Sequence, residues 1–393
     1  MTTEKSAAAR PFLDFYTTHN IIPVHQDTSD LENHVFRRNY LYRTLGLTPA
    51  LLKNKRALEF GPGTGDNAVA TSMYGLDTYA FVDGNQSSVR ELRKKLKSGL
   101  IKANTTRITE TNIFDFQDSE RYDLVIAEGV IPGQDRAREF LDHISSFAAL
   151  GGVVVVTTIS YVSLLSEISR NVFRPAFISE KNSFQDQVRI SSDIFRDHLS
   201  TLGVSTRSIE NWVQDNILHH WLTSHSQVFS LAEALDVFEG RYQFYNSSPR
   251  FCVDDRWYKK VGRVSPDFNA LVRDQYHIFS ALLLDYRNKL ETVQRARIDK
   301  AWVCDLEDMS KHAYDVHMKI CSENTFARIE EFISILQGIS GILTEEMHET
   351  KAAIADFADG IRKVADGKLG HKFGAFRSWW GRGQQYASFV REA

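Results

Sequence analysis

The chain has 393 residues, with 47 Lys and Arg against 50 Asp and Glu, for a formal net charge of −3. That length exceeds one ordinary domain and predicts two or three units with ample core, while the near balance of charge argues against nucleic acid as a partner. Cys252, Cys304 and Cys321 are scattered without C-x-x-C spacing, which argues against a disulfide framework or a cysteine zinc site. No apolar run approaches the ~20 residues that span a bilayer and the first residues do not read as a signal peptide, so a cytoplasmic setting is expected.

Residues 12–27 are aromatic and histidine-bearing, with Tyr16, His19 and His25, and Ser29-Asp-Leu-Glu32 then makes a capping box for a helix through Tyr42. Residues 1–47 are therefore expected as a cap segment. Tyr16 and His19 are candidate acceptor contacts, and His19 and His25 could close a lid.

From Arg56 to about Thr158 strands and helices alternate, the pattern of a doubly wound sheet. The apolar strand at Ala57–Phe60 carries Glu59 and runs into a loop with Gly61, Gly63 and Gly65. The next strand, Tyr79–Val82, ends in Asp83. A tight turn at the carboxyl edge of a parallel sheet, with an acid on the neighbouring strand for a ribose hydroxyl pair, predicts a nucleoside-bearing cofactor. Gly63-Thr-Gly65-Asp-Asn-Ala68 also fits the dinucleotide fingerprint in its alanine form. Charge decides between the two: Asp66 inside the turn and Glu59 before it would repel a diphosphate seated on the helix N-terminus and suit a cationic ligand instead.

Beyond the fifth strand a helix is expected to about Phe173, interrupted by Arg174-Pro175, with another over residues 191–202 and a strand near 204–213. Residues 212–258 then hold Asp215, His219, His220, a Ser230-x-x-Glu233 capping box, Tyr242, Tyr245, Arg250 and Asp254. This insert is expected to form the acceptor site. His219, His220 or Asp215 would serve as base, and Tyr242, Tyr245, Arg250 and Asp254 would meet a polyhydroxylated acceptor. Adjacent His219 and His220 point apart on a helix or a strand, so no metal site is expected.

From residue 263 the chain reads as a helical extension of about three helices, at 270–293, 298–336 and 344–364, packed as a subdomain or serving a homo-oligomer interface. Its tail, residues 361–391, interleaves basic residues with Phe373, Phe376, Trp379, Trp380 and Tyr386, a composition suited to an anionic membrane surface or a polyanion, with a solvated tail as the default.

Leu58-Glu-Phe-Gly-Pro-Gly-Thr-Gly65 followed by Phe81-Val-Asp-Gly-Asn85 resembles the first two motifs of class I S-adenosylmethionine-dependent methyltransferases. Arg107–Ile113, Arg121–Gly129 and Leu150–Thr157 resemble the family's next three strands, so that the likeness runs from about Arg38 to Thr158. The resemblance implies a doubly wound, mostly parallel α/β sheet over residues 48–262 that binds S-adenosylmethionine. By it, Gly61, Gly63 and Gly65 approach the methionine part, Asp83 binds the ribose, Asn112 faces adenine and Glu128 borders the methyl group. Many members carry Asp where Asn112 stands, and Asp115 is the alternative. Glu128-Gly-Val-Ile-Pro-Gly133 does not resemble the Asp/Asn-Pro-Pro-aromatic loop of amino-methylating DNA enzymes. The expected activity is O-methylation of a small-molecule or saccharide hydroxyl. A non-catalytic cofactor-binding assembly protein, an NAD(P)-dependent oxidoreductase and an aminopropyl transferase are the rivals.

Overall fold

The computed structural model describes residues 15–16, 18–19, 21, 28–203 and 207–393. His25 and residues 204–206 lie outside the described residues. Helices α1 (Leu31–Thr44) and α2 (Pro49–Leu52) precede the sheet, which begins with β1 (Arg56–Phe60), α3 (Asp66–Ser72), β2 (Thr78–Asp83), α4 (Gln86–Lys97) and β3 (Thr105–Glu110). It continues through β4 (Tyr122–Ala127), α5 (Ala137–Ser145), β5 (Ala148–Thr158), α6 (Tyr161–Asn171), α7 (Phe184–Ser200), α8 (Ile209–Val213), α9 (Leu231–Phe238) and β6 (Tyr242–Ser248). Five further helices follow, α10 (Phe268–Leu284), α11 (Leu290–Ala296), α12 (Lys300–Glu323), α13 (Ile329–Ile342) and α14 (His348–Ala365), before β7 (Gln385–Arg391).

The strands form one sheet in the order β3-β2-β1-β4-β5-β7-β6. β1 to β5 pair in parallel, and β7 is antiparallel to both β5 and β6. Successive strand side chains alternate between two cores. Ala57, Tyr79, Phe81, Leu124 and Ile126 pack with Tyr42, Leu52 and Leu92 on one face. Leu58, Phe60, Val82, Val125 and Val154 pack on the other with Phe140, Leu165 and the helical region. Within β5 the register with β4 shifts between Tyr122 and Leu124, and a Cβ on Gly152 would stand 2.9 Å from the Tyr122 carbonyl oxygen. Glycine there lets the backbones close over a bulge.

Several elements differ from expectation for local reasons. Asp30, not Ser29, caps α1, its carboxylate accepting from the Asn33 amide at 2.9 Å. Residues 209–213, expected in a strand, are helical because Ser208 caps them and Ile209, Trp212 and Val213 bury one helical face. The Ser230–Glu233 capping box is present.

The helical region is enclosed between β6 and β7, and the basic, aromatic tail is not a solvated appendage. Phe373, Phe376 and Trp379 are buried, and Ala387 and Phe389 stand in the core of the sheet. Alternation of Tyr386, Ser388 and Val390 with Ala387 and Phe389 is strand periodicity that the neighbouring positive charges obscured. Among the described residues no helix is long and apolar enough to cross a membrane.

Candidate functional site

The turn after β1 is held to β2 by backbone: the Gly61 amide donates to the Val82 carbonyl at 2.8 Å. Gly63 has φ +56° with nothing within 4 Å of a Cβ built there, so its backbone is both left-handed and open to a ligand. The Gly63 amide also donates to Asp83 Oδ2 at 3.3 Å, while Asp83 Oδ1 accepts from the Asn85 amide at 2.7 Å. Asn85 in turn caps α4 through the Ser87 and Ser88 amides. Burial pushes the Asp83 carboxyl up to about 6, against the pull of its two amide bonds. The end of β2 therefore presents a buried acid that two backbone amides aim beside the glycine turn.

The other carboxylates near this turn are committed elsewhere. Asp66 stands 2.9 Å from Lys95 Nζ and accepts from the Thr64 hydroxyl at 2.6 Å, and its carbonyl accepts from His34 Nε2 at 3.1 Å. Glu59 accepts from the Tyr79 hydroxyl, and burial raises its carboxyl to about 7. The expected repulsion of a diphosphate by Asp66 and Glu59 is thus largely neutralised, Asp66 by Lys95 and Glu59 by its readiness to hold a proton.

At the exit of β4, Glu128 meets Arg38 of α1 at 2.7 Å, and Asn67 Nδ2 approaches its other oxygen at 3.5 Å. Arg38 also lies over the Tyr42 ring, 5.0 Å from its centroid. The Gly129 amide donates to Thr157 Oγ1 at 2.8 Å, fixing this loop to β5. Asn112 caps the turn at Ile113–Asp115, its side-chain oxygen accepting from the Phe114 amide at 2.9 Å, whereas Asp115 is exposed.

Beyond these, Tyr16 donates to Asp215 at 3.2 Å, and Arg207 pairs with the other Asp215 oxygen at 2.9 Å. His219 is buried and stacks on Phe15 with centroids 4.5 Å apart. His19 is exposed and stacks on Phe184 at 4.1 Å. His220 turns away from these groups toward His317, with ring centroids 6.0 Å apart.

Tyr242 lies where β6 enters the sheet, opposite Arg391 at the end of β7, and donates to the Ser145 carbonyl at 2.7 Å. That is the sheet edge away from the glycine turn. Tyr245 packs at Gly46, Arg250 is exposed just past the exit of β6, and exposed Asp254 pairs with Arg256 at 2.7 Å. The structure brings Tyr16, Asp215 and His219 together, and it does not bring Tyr242, Tyr245 or Asp254 to them.

One acid beyond the carboxyl end of β5 carries no motif in the sequence. Glu167 lies on α6 beside the chain entering β7, with Oε2 3.7 Å from where a Cβ on Gly383 would stand. Its Oε1 is sealed from solvent and has no hydrogen-bond partner. Burial raises its carboxyl to about 7, with Arg170 and Arg207 pulling the other way. The available signal was a lone Glu amid the small and apolar residues of Val162–Ser169, on a helix leaving a strand at its carboxyl end.

No family model matches the chain, and no curated protein matches it. Solved structures similar to it include an S-adenosylmethionine-dependent methyltransferase from Clostridium acetobutylicum, 17% identical over 35% of this chain and 58% of that one, TM-score 0.27. Others are the N-methyltransferase NodS from Bradyrhizobium japonicum in complex with S-adenosylhomocysteine (17%, 38% and 75%, TM-score 0.31) and PKMT2 from Rickettsia typhi (15%, 64% and 51%, TM-score 0.38). The chain thus spans only about half the length of the Clostridium and Rickettsia proteins. A dinucleotide-binding sheet runs 3-2-1-4-5-6. With an antiparallel β7 inserted between β5 and β6, the present sheet departs from that order while remaining a mostly parallel, doubly wound α/β sheet.

Proposed function

We propose that the cleft at the carboxyl edge of β1, β2 and β4 binds S-adenosylmethionine and that the chain transfers its methyl group to a hydroxyl of a small molecule or saccharide. The observation that carries this reading is Asp83, buried at the end of β2 and bonded to the amide of the open, left-handed Gly63. A ribose diol fits an acid so placed, and the turn from Gly61 to Gly65 leaves backbone for the methionine part. Asn112 would border the adenine, and Glu128 with Arg38 the sulfonium end.

When bound, the cofactor supplies a methyl carbon activated toward in-line displacement. This chain's residues then align, desolvate and deprotonate the acceptor. Glu167, its carboxyl raised to about 7 by burial and its Oε2 turned toward the chain entering β7, is the base we assign to take the hydroxyl proton. Asp215, tied to Arg207 and Tyr16, would hold the amino-terminal cap over the acceptor, with His219 beneath Phe15 as part of that cap. The test is turnover of labelled S-adenosylmethionine across a panel of sugar and phenolic hydroxyls. Glu167→Gln should reduce the rate about 100-fold or more, the scale of a general base, with cofactor affinity unchanged. Equal rates in both proteins would remove Glu167 from this role.

A further inference from the structure

Away from the sheet edge, three metal-ligating side chains meet under α12. His317 and Cys321 are spaced four apart on that helix and so share one face. His220 reaches them from the segment after α8. One donor atom from each residue lies within 4.8 Å of the other two.

We propose that His220, His317 and Cys321 bind a thiophilic divalent cation of the zinc class, leaving a fourth coordination position toward the adjoining cavity. The proposal runs against two sequence expectations, that adjacent His219 and His220 point apart and that Cys321 has no second cysteine at metal-binding spacing. The partners of His220 come from α12, a helix far along the chain.

Polar bookkeeping supports the site. His317 is fully buried, and neither of its ring nitrogens has a hydrogen-bond partner; the same holds for His220 Nε2. Leaving a buried polar group unmatched is unfavourable, and a cation shared with Cys321 would satisfy one nitrogen of each ring.

Metal–nitrogen and metal–sulfur bonds of about 2.0 and 2.3 Å set tetrahedral ligands roughly 3–4 Å apart, so the three donors need only small side-chain rotations to close. Cys321 contacts the Asn171 carbonyl at 3.6 Å. Burial pushes the Cys321 thiol up to about 12, with Arg174, anchored on the Ile217 and Leu218 carbonyls, pulling the other way, so the thiolate would form only as a cation takes the place of its proton. Binding would exchange the Cys321 proton for the cation and release that proton to solvent. A cavity of about 500 Å³ adjoins the cluster on the His220 side, lined also by Thr223, His312, Asp315, Met318, Lys319 and Ser322.

The experiment is a cobalt titration of the full chain after chelator treatment. One equivalent should bind with visible d–d bands and a near-ultraviolet thiolate-to-cobalt band, and zinc should displace it. Cys321→Ser should abolish the near-ultraviolet band, whereas a Cys252→Ser/Cys304→Ser double variant should retain it. His220→Gln, at a partly exposed position, should weaken binding by about tenfold or more. Absence of a thiolate band in the wild-type chain would overturn the proposal even if the variants fail to fold. So would a cobalt site that all the variants leave intact. Neither result touches the methyl-transfer reading, which uses none of these three residues.

Discussion

Arg38 and Glu128 stand 2.7 Å apart, both nearly buried, and join the helix that precedes the sheet to the loop that leaves β4. Removing one partner of a buried pair strands the other charge, which typically costs about 3–5 kcal/mol. Arg38→Met or Glu128→Gln should each lower the unfolding free energy by roughly 3 kcal/mol in urea titrations, and an Arg38→Met/Glu128→Leu double variant should recover most of it. Single variants that unfold at the wild-type midpoint would mean that the pair is open in solution.

Asp83 should govern cofactor affinity. Asp83→Asn should weaken S-adenosylhomocysteine binding by about 1–3 kcal/mol, the scale for a charged hydrogen-bond partner lost from a buried site. Because its carboxyl ionises near 6, wild-type affinity should climb between pH 5 and pH 7 and then level, with the variant flat. A wild-type affinity independent of pH would count against the ribose role.

Glu59 sets a pH dependence of stability. Its folded carboxyl ionises near 7 against 4.5 when free, so the folded state binds the proton more tightly. The stability it contributes is therefore complete below about pH 4.5 and lost as pH rises through about 7. Glu59→Gln keeps an acceptor for Tyr79 but cannot ionise. It should reduce the decline across that window by on the order of 1–3 kcal/mol. Superimposable wild-type and variant stability curves would show that burial does not penalise the Glu59 carboxylate.

The carboxyl-terminal strand bears on the fold itself. Deleting residues 385–393 strips β5 and β6 of their shared neighbour and uncovers Phe244 and the valines of β5. The truncated chain should be insoluble or lack a cooperative thermal transition. A folded, soluble product would favour a solvated tail over a strand of the sheet.

How far the sequence could be read follows from the range of its signals. Ala57–Phe60, the glycine turn and Asp83 were legible because each belongs to a contiguous strand-turn-helix unit whose periodicity lies within a few residues. β7 was not, because its strand pattern is short and its pairing partners β5 and β6 are remote. Tyr242 looked like an acceptor contact by its aromatic neighbours, yet the direction of β6 carries it to the opposite edge. Glu167 and the cluster of His220 with His317 and Cys321 depend on tertiary proximity alone. The charge argument at Asp66 needed Lys95, which a different helix supplies.

Calorimetric titration of the full chain with S-adenosylhomocysteine, paired with NADH under the same conditions, tests the central claim most directly. S-adenosylhomocysteine should bind saturably, one to one, and NADH should give no heat. Saturable binding of NADH with no response to S-adenosylhomocysteine would contradict it.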